Sequence, residues 1–267
     1  MAEITAKAVN ELREKTGQPM MKCKQVLTEA GGDVAKAVEI FRKQGVKASL
    51  TERAATEGRV FGHGHPNAAA LVEVNCNTDF TAKSEAISAI GNKLAHDLAH
   101  NASLDVNAAA KDALTEASQK TGENVRLGKT AVLTAPEGGK VGIYLYGISG
   151  KIGVLMSFKG SPSDELIKQL GGHIAFARPL GLTRDTVPAD LVAKERDLAV
   201  EQAKATGKPQ QIAEKIAEGK LNSFFAEKVL LDQEFFNAGV FKGSITNYLK
   251  SNNVTLEKYV RIETGQQ

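Results

Sequence analysis

The chain has 267 residues, of which 42% are hydrophobic and 24% are charged, a composition typical of a globular protein with two or three compact units. Its longest apolar runs have about five residues, whereas a membrane-spanning helix needs roughly 20, so no membrane contact is predicted. The 34 basic residues are nearly balanced by 31 acidic ones and Trp is absent, which argues against a specific nucleic-acid surface.

The amino terminus lacks the apolar stretch of a signal peptide, so we expect a cytoplasmic protein. The two cysteines, Cys23 and Cys76, have the spacing of neither a zinc site nor a disulfide framework, and we expect both to stay reduced. No motif predicts a cofactor or direct nucleotide binding.

Capping and helix-ending residues predict three short helices at the start of the chain. The first ends at Gly17 and the second begins at Pro19. The third is capped by Asp33 and ended by Gly45. Residues 46–58 show no broad apolar stripe and are interpreted as a linker.

The next segment predicts a β-hairpin followed by two helices. Alternating apolar residues place strands at residues 59–63 and 68–75, joined by a turn. One long helix is predicted over residues 79–100, because Thr78 can cap it and its apolar residues recur every three or four positions. An alanine-rich helix over residues 106–119 follows.

Three further strands are predicted at residues 129–134, 141–146 and 152–158. Turns rich in glycine separate them, so we expect an antiparallel meander. The following helix begins at Ser163 and ends before Pro179.

Two helical runs, residues 191–205 and 210–225, are joined by a short turn that makes them antiparallel neighbours. Their apolar stripes, which include Leu198 and Ile212, are too narrow for a separate domain. The hairpin is therefore expected to project or to pair with another surface. A last strand is predicted at residues 258–263.

These elements predict an α+β fold in four parts. A three-helix domain with its linker occupies residues 1–55, and the helical hairpin is an insertion at residues 188–222. The core has one half at residues 56–139 and a second half at residues 140–187 and 223–267. Each half contains a hairpin or meander followed by a helix, so we interpret the two as related, although no residue-level repeat is visible.

Histidines supply the candidate metal ligands. His96 and His100 lie four positions apart on a predicted helix, the spacing of the two zinc ligands in H-E-x-x-H. Asp97 stands where that motif has Glu, and no third ligand is near in sequence, so a solvated helix face is preferred. His63 and His65 are interpreted as turn residues that bind nothing. No metal site is predicted, and a metal hydrolase that binds zinc is kept as an alternative.

The glycine-rich segment at residues 147–151 lacks the spacing of a phosphate-binding loop and precedes a strand, so it is interpreted as a hairpin turn. No nucleophile elbow or carboxylate pair predicts an enzyme. An RNA- or ribosome-binding factor is a second alternative, favoured by the basic pI and the loop lysines. It predicts strongly salt-dependent RNA affinity and no effect on a GTPase.

Phe80 lies in the first turn of a helix that follows directly on a strand. From the residues alone, its spacing of seven from Ile87 favours a side chain that packs this turn against the core. The other interpretation is an exposed aromatic wedge on a rigid helix end.

The segment Glu-Val-Asn-Cys-Asn-Thr-Asp-Phe at residues 73–80 strongly resembles the signature of the elongation factor Ts family. Segments at residues 12–24, 151–155, 173–175 and 207–209 are similar to further motifs of that family in the same order, so the resemblance covers essentially the whole chain. It implies a ubiquitin-associated-like helical domain, a two-part α+β core and an inserted helical hairpin.

The resemblance also implies a function and a partner. The protein is expected to act as a guanine-nucleotide exchange factor, without enzyme activity of its own, on GDP-bound elongation factor Tu. The implied site is Thr78, Asp79, Phe80 and Thr81, with Phe80 pushed between helices of the partner's G domain. This disturbs the partner's Mg²⁺ site and phosphate loop. Thr81 stands where the family usually has Val.

Further partner contacts implied by the resemblance are Arg13, Met20, Met21, Gly122 and Tyr146. Tyr146 replaces a common His, which puts that contact in doubt. Lys22 replaces a usual acidic residue, and the changes at Lys22 and Thr81 are expected to alter the interface without removing it. The sequence leaves open whether the protein forms a homodimer or a 2:2 complex, and whether the hairpin touches the partner.

Overall fold

The computed structural model describes residues 4–43, 54–147, 150–207 and 209–265. Helices accompany two three-stranded antiparallel sheets, so the predicted α+β class is confirmed. Within these ranges, no helix combines the length and the apolar character that crossing a membrane requires.

Three helices form the first unit: α1 (Ala6–Thr16), α2 (Met20–Glu29) and α3 (Val34–Lys43). Gly17 ends α1 with a φ of 65°, and the carboxylate of Asp33 accepts hydrogen bonds from the first turn of α3, as predicted. The predicted end at Gly45 lies outside the described residues. The helices share a small core made of Val9, Leu12, Cys23, Val26, Leu27, Ala37 and Phe41.

The first sheet has the strand order β1 (Glu57–His65), β2 (Ala68–Cys76) and β3 (Arg126–Thr134). The predicted linker at residues 46–58 therefore ends earlier than expected, and most of it lies outside the described residues. His65 pairs with Ala68, which shortens the predicted turn to two residues and places the turn histidines in the strand. All nine residues of β2 are buried, because both faces of this central strand are covered.

The predicted helix over residues 79–100 is two helices. The first, α4 (Asp79–Ala82), has four residues, and α5 (Glu85–His100) begins after a break. Ser84 causes the break, because it adopts an extended conformation and its hydroxyl accepts the hydrogen bond from the N–H of Ile87. The next helix, α6 (Val106–Thr121), follows the prediction.

The second sheet has the order β4 (Gly139–Leu145), β5 (Ile152–Lys159) and β6 (Thr255–Glu263). The predicted three-strand meander is wrong, because β3 pairs with β2 and not with β4. The N–H of Ala135 still donates to Asn67 in the first sheet, and the next residue, Pro136, has no N–H to continue the ladder.

The two sheets pack face to face, with helices on the outer faces. Buried side chains from both sheets fill the middle, and they are Val60, Ala69, Leu71, Leu133, Val141, Leu155 and Ile262. Helices α5 and α6 cover the first sheet, while α7 (Asp164–Ala177) and α10 (Ile245–Ser251) cover the second. The core is therefore built in four layers.

An antiparallel hairpin consists of α8 (Ala189–Ala205) and α9 (Gln210–Lys228). Its buried contact residues are all small: Ala199, Ala203, Ala213 and Ala217. Leu198 and Ile212, expected on the contact stripes, are about half exposed. The seam runs through the alanines because small residues allow the closest approach of two helices.

Two helix glycines, Gly91 and Gly219, make a matched pair for testing how closely α5 packs against β1. A Cβ atom on Gly91 of α5 would collide with the ring of Phe61, whereas a Cβ on Gly219 of α9 meets nothing within 4 Å. We expect Gly91→Ala to lower the free energy of unfolding by about 1–3 kcal/mol through overpacking. Gly219→Ala is expected to raise it by about 0.5–1 kcal/mol through helix propensity. Thermal melts of both variants measure the effects, and stabilisation by both would contradict the close contact between α5 and β1.

Candidate functional site

The site begins where β2 runs into α4. The hydroxyl of Thr78 caps α4 and accepts a hydrogen bond from the N–H of Thr81, as predicted. Just before it, the Asn77 side chain donates to the carbonyl of Ala54 and accepts from the N–H of Asn124, both at 2.8 Å. The turn is thereby joined to two segments that are distant in sequence.

The carboxylate of Glu123 holds this turn together. It accepts hydrogen bonds from the N–H groups of Asn77 and Thr78, each at 3.0 Å. It also accepts from the hydroxyls of Thr78 at 2.6 Å and Thr81 at 2.8 Å. Gly122 makes this position reachable, because its φ of 69° ends α6 and turns the chain toward α4. One side chain thus anchors the whole helix start.

Two opposing effects set the pKa of Glu123. Desolvation of the half-buried carboxyl group raises the pKa, but the hydrogen bonds from Thr78 and Thr81 outweigh it and hold the pKa below its ordinary value. The group is therefore ionised at neutral pH, and each of its hydrogen bonds is charge-assisted.

Phe80 points into solvent, with 84% of its surface exposed. The interpretation that it packs α4 against the core is therefore wrong. Because α4 and α5 are separate helices, the seven-residue spacing to Ile87 does not place both on one face. Thr81 and Ala82 take the buried side of the short helix instead.

The surroundings of Phe80 are charged and exposed. Asp79 Oδ2 lies 2.8 Å from Lys83 Nζ, and this hydrogen bond is the main reason that the pKa of Asp79 is lowered. Both side chains are largely exposed, so the pair contributes little to stability. Lys151, at the start of β5, adds a weaker electrostatic effect on Asp79 while it binds Glu57 at 2.8 Å.

The other predicted contact residues lie on several different elements of the fold. Gly122 directly precedes Glu123, and Tyr146 follows β4, where its ring meets Phe176 edge to face at 4.8 Å. Arg13 of α1 lines a cleft of about 570 Å³ between α1 and α6, whose wall includes residues 124–125. Met20 and Met21 begin α2 and are 50% and 77% exposed.

Sequence reasoning missed Glu123 and Asn77, although both determine the geometry of α4. Asn77 lies inside the recognised segment, but its two partners are 23 and 47 positions away. Glu123 follows a helix-ending glycine and had no local pattern that linked it to Thr78. Only the packing of α6 onto the first sheet brings these groups together.

An exposed aromatic side chain on an anchored helix start is typical of a factor that acts by binding another macromolecule. A sequence model of the family described as "Elongation factor TS" matches residues 77–266. The chain is also 36% identical over 279 aligned positions to "Elongation factor Ts" of Hydrogenobaculum sp. (strain Y04AAS1), covering 98% of this chain and 99% of that relative.

The chain therefore belongs to the elongation factor Ts family and is a translation elongation factor. The resemblance of its sequence motifs to this family is confirmed.

Glu123→Gln is expected to loosen the start of α4. The amide keeps one acceptor oxygen and turns an N–H group toward donors, so several hydrogen bonds of the carboxylate are lost. We expect the free energy of unfolding at neutral pH to fall by about 1 kcal/mol, since water replaces part of the bonding at this partly exposed site. Thermal melts of wild type and variant measure the difference.

The difference in stability between the wild type and Glu123→Gln is expected to depend on pH. Because the pKa of Glu123 is lowered in the folded protein, its contribution is fully present above the ordinary value of 4.5 and is lost as the pH falls through the folded pKa. The difference in Tm between the two proteins is therefore expected to shrink below about pH 4. A difference that stays constant down to that pH would contradict the proposed anchor.

Proposed function

We propose that this protein is a guanine-nucleotide exchange factor that binds GDP-bound elongation factor Tu in the cytoplasm and promotes release of GDP, so that GTP can enter. The observation that carries the proposal is Phe80, an aromatic side chain that is 84% exposed on a helix start fixed by Glu123. Family membership supports the choice of partner. The nucleotide binds to the partner, and this protein acts through protein–protein contacts.

In the proposed mechanism, Phe80 enters between helices of the partner's G domain and Asp79 makes a polar contact beside it. Thr78 and Thr81 serve a different role, because their hydroxyls are bonded to Glu123. They fix the direction of α4 before binding, so little conformational entropy is lost when the wedge enters. The displaced G-domain helices then disturb the Mg²⁺ site and the phosphate loop.

Phe80 by itself supplies too little free energy for exchange. Burial of one Phe side chain is worth roughly 1.5–3 kcal/mol, which changes an equilibrium by about 10- to 100-fold. Coupling between two ligands of one protein is reciprocal, so whatever this factor removes from GDP affinity, GDP removes from the affinity for this factor. The remaining binding energy has to come from a wider surface.

That wider surface includes the exposed methionines of α2 and the edge of the second sheet. Met20, Met21 and Tyr146 are exposed apolar groups that a partner can bury. Arg13 and Gly122 complete the proposed set, with Gly122 adjacent to the Glu123 anchor. Methionine suits such a contact because its flexible side chain adapts to irregular surfaces.

The central test is release of fluorescent GDP from elongation factor Tu in the presence of Phe80→Ala. We expect the stimulated release rate to fall by about 10- to 100-fold, the value of the lost burial. The Tm is expected to stay unchanged, because Phe80 is exposed in the free protein. Val240→Ala, which shortens another exposed apolar side chain outside the proposed contact set, is the control and is expected to exchange normally.

Two results would overturn the proposed role of Phe80. One is a variant that stimulates GDP release like the wild type. The other is a variant that melts several degrees earlier while its folded fraction exchanges normally, since that result would assign Phe80 to the core.

Met21→Ala distinguishes a contact that only strengthens binding to the partner from one that also promotes release of GDP. Because this side chain is distant in sequence from the wedge and 77% exposed, we expect its removal to raise the concentration that gives half-maximal exchange. The maximal rate and the Tm are expected to stay the same. A lowered maximal rate with an unchanged half-saturating concentration would contradict a role limited to binding.

A further inference from the structure

Four of the five histidines of the chain lie together where the end of β1 meets α5. The rings of His96 and His100 are stacked with centroids 4.2 Å apart. The ring of His63 lies 4.7 Å from that of His96 and 5.5 Å from that of His100. His65 contacts only the outer side of this group, with its ring 4.6 Å from that of His100.

Two periodicities produce this cluster. Alternate residues of a strand share one face, so Phe61, His63 and His65 all face α5. Residues four apart on a helix are neighbours, which brings His96 beside His100. Gly91 allows α5 to approach β1 closely, because its missing side chain leaves room for the ring of Phe61. The strand thus supplies the third histidine, His63, which lies more than 30 positions before His96 in the sequence.

The hydrogen bonds around the helix histidines fix which ring nitrogen is available. His100 Nδ1 lies 2.9 Å from the carbonyl oxygen of His96, and His96 Nδ1 lies 3.2 Å from a carboxylate oxygen of Asp97. Both oxygens can only accept, so these contacts require an N–H at each Nδ1 and leave each Nε2 as the nitrogen that can bind a metal ion. Such outer contacts are typical of metal-binding histidines, where they orient the ring.

We propose that His63, His96 and His100 bind a divalent transition-metal ion, with Zn²⁺ as the representative case. One nitrogen from each residue lies within 4.8 Å of the other two. Three nitrogens on a tetrahedral zinc ion lie about 3.3 Å apart, so modest ring movements close the site. The side chains of His96 and His100 are exposed, so no packed neighbours block these movements.

The chemistry of the donors selects the class of ion. Neutral imidazole suits Zn²⁺, Cu²⁺, Ni²⁺ and Co²⁺, whereas Mg²⁺ and Ca²⁺ prefer oxygen ligands. Water completes the coordination on the exposed side. Asp97 is already bound by Lys93 at 2.6 Å and by His96, so it is an orienting group and not a free general base. The site therefore ties β1 to α5 and is not proposed as a hydrolase.

The test uses the full chain without a histidine tag, stripped of metal with EDTA and titrated with Zn²⁺ in a calorimeter. We expect one equivalent to bind and the Tm to rise by about 5 °C when free Zn²⁺ is about 100 times Kd. Binding of Co²⁺ is expected to give the visible absorption of a nitrogen-ligated ion. His63→Gln, His96→Gln and His100→Gln are each expected to weaken Zn²⁺ binding at least about 10- to 100-fold.

His65→Gln is the matched control, because it removes a histidine that touches the cluster without belonging to the ligand set. Because His65 supplies no ligand nitrogen and no hydrogen bond to the ligand rings, its replacement is expected to leave the Zn²⁺ affinity close to that of the wild type. Melts in EDTA identify any variant that fails to fold, and the two exposed helix positions supply independent variants. Absence of Zn²⁺ binding by the wild type, or wild-type affinity in all three ligand variants, would overturn the proposal. Equal weakening by His65→Gln would overturn the assignment of the three ligands.

Discussion

The position of α4 depends on one partly buried group, the carboxylate of Glu123. A four-residue helix has almost no stability of its own, because its few internal hydrogen bonds do not offset the entropy of ordering the chain. Glu123 supplies acceptors for the N–H groups and hydroxyls that begin this helix. The negative charge also lies at the positive end of the α4 dipole. Together with the side-chain hydrogen bonds of Asn77, this anion fixes the helix start that carries the exposed Phe80.

The anchor is effective because the elements on either side of it are rigid. β2 enters the turn from the centre of the first sheet, where helices cover one face and the second sheet covers the other. On the other side, Glu123 follows the end of α6, which packs on the same sheet. Burial on both sides restricts small displacements, since protein interiors are close-packed. The solvent-exposed ring of Phe80 can therefore be held in a fixed direction although it is not packed into the core.

Phe80 and the histidine cluster are separated by the length of α5. Its 16 residues span about 24 Å, with α4 before its first turn and His100 at its last residue. The metal ion proposed at one end would link α5 to β1 without changing the residues around Phe80 at the other end. The two sites can therefore be altered independently, as additivity holds for distant side chains that share no partner.

The sequence by itself determined the local features, and the tertiary structure decided which of them meet. Gly17, Asp33, Thr78 and Ser163 end or cap their helices as predicted, because capping depends on groups within a few residues. The break at Ser84 was missed although its capping hydrogen bond is local. The sequence could not show that β3 belongs to the first sheet, that Phe80 is exposed or which groups Glu123 contacts. Each depends on packing between segments that lie far apart along the chain, as the meeting of His63 with His96 also does. For Phe80, residue spacing favoured burial, and only the short, anchored α4 turned its side chain toward solvent.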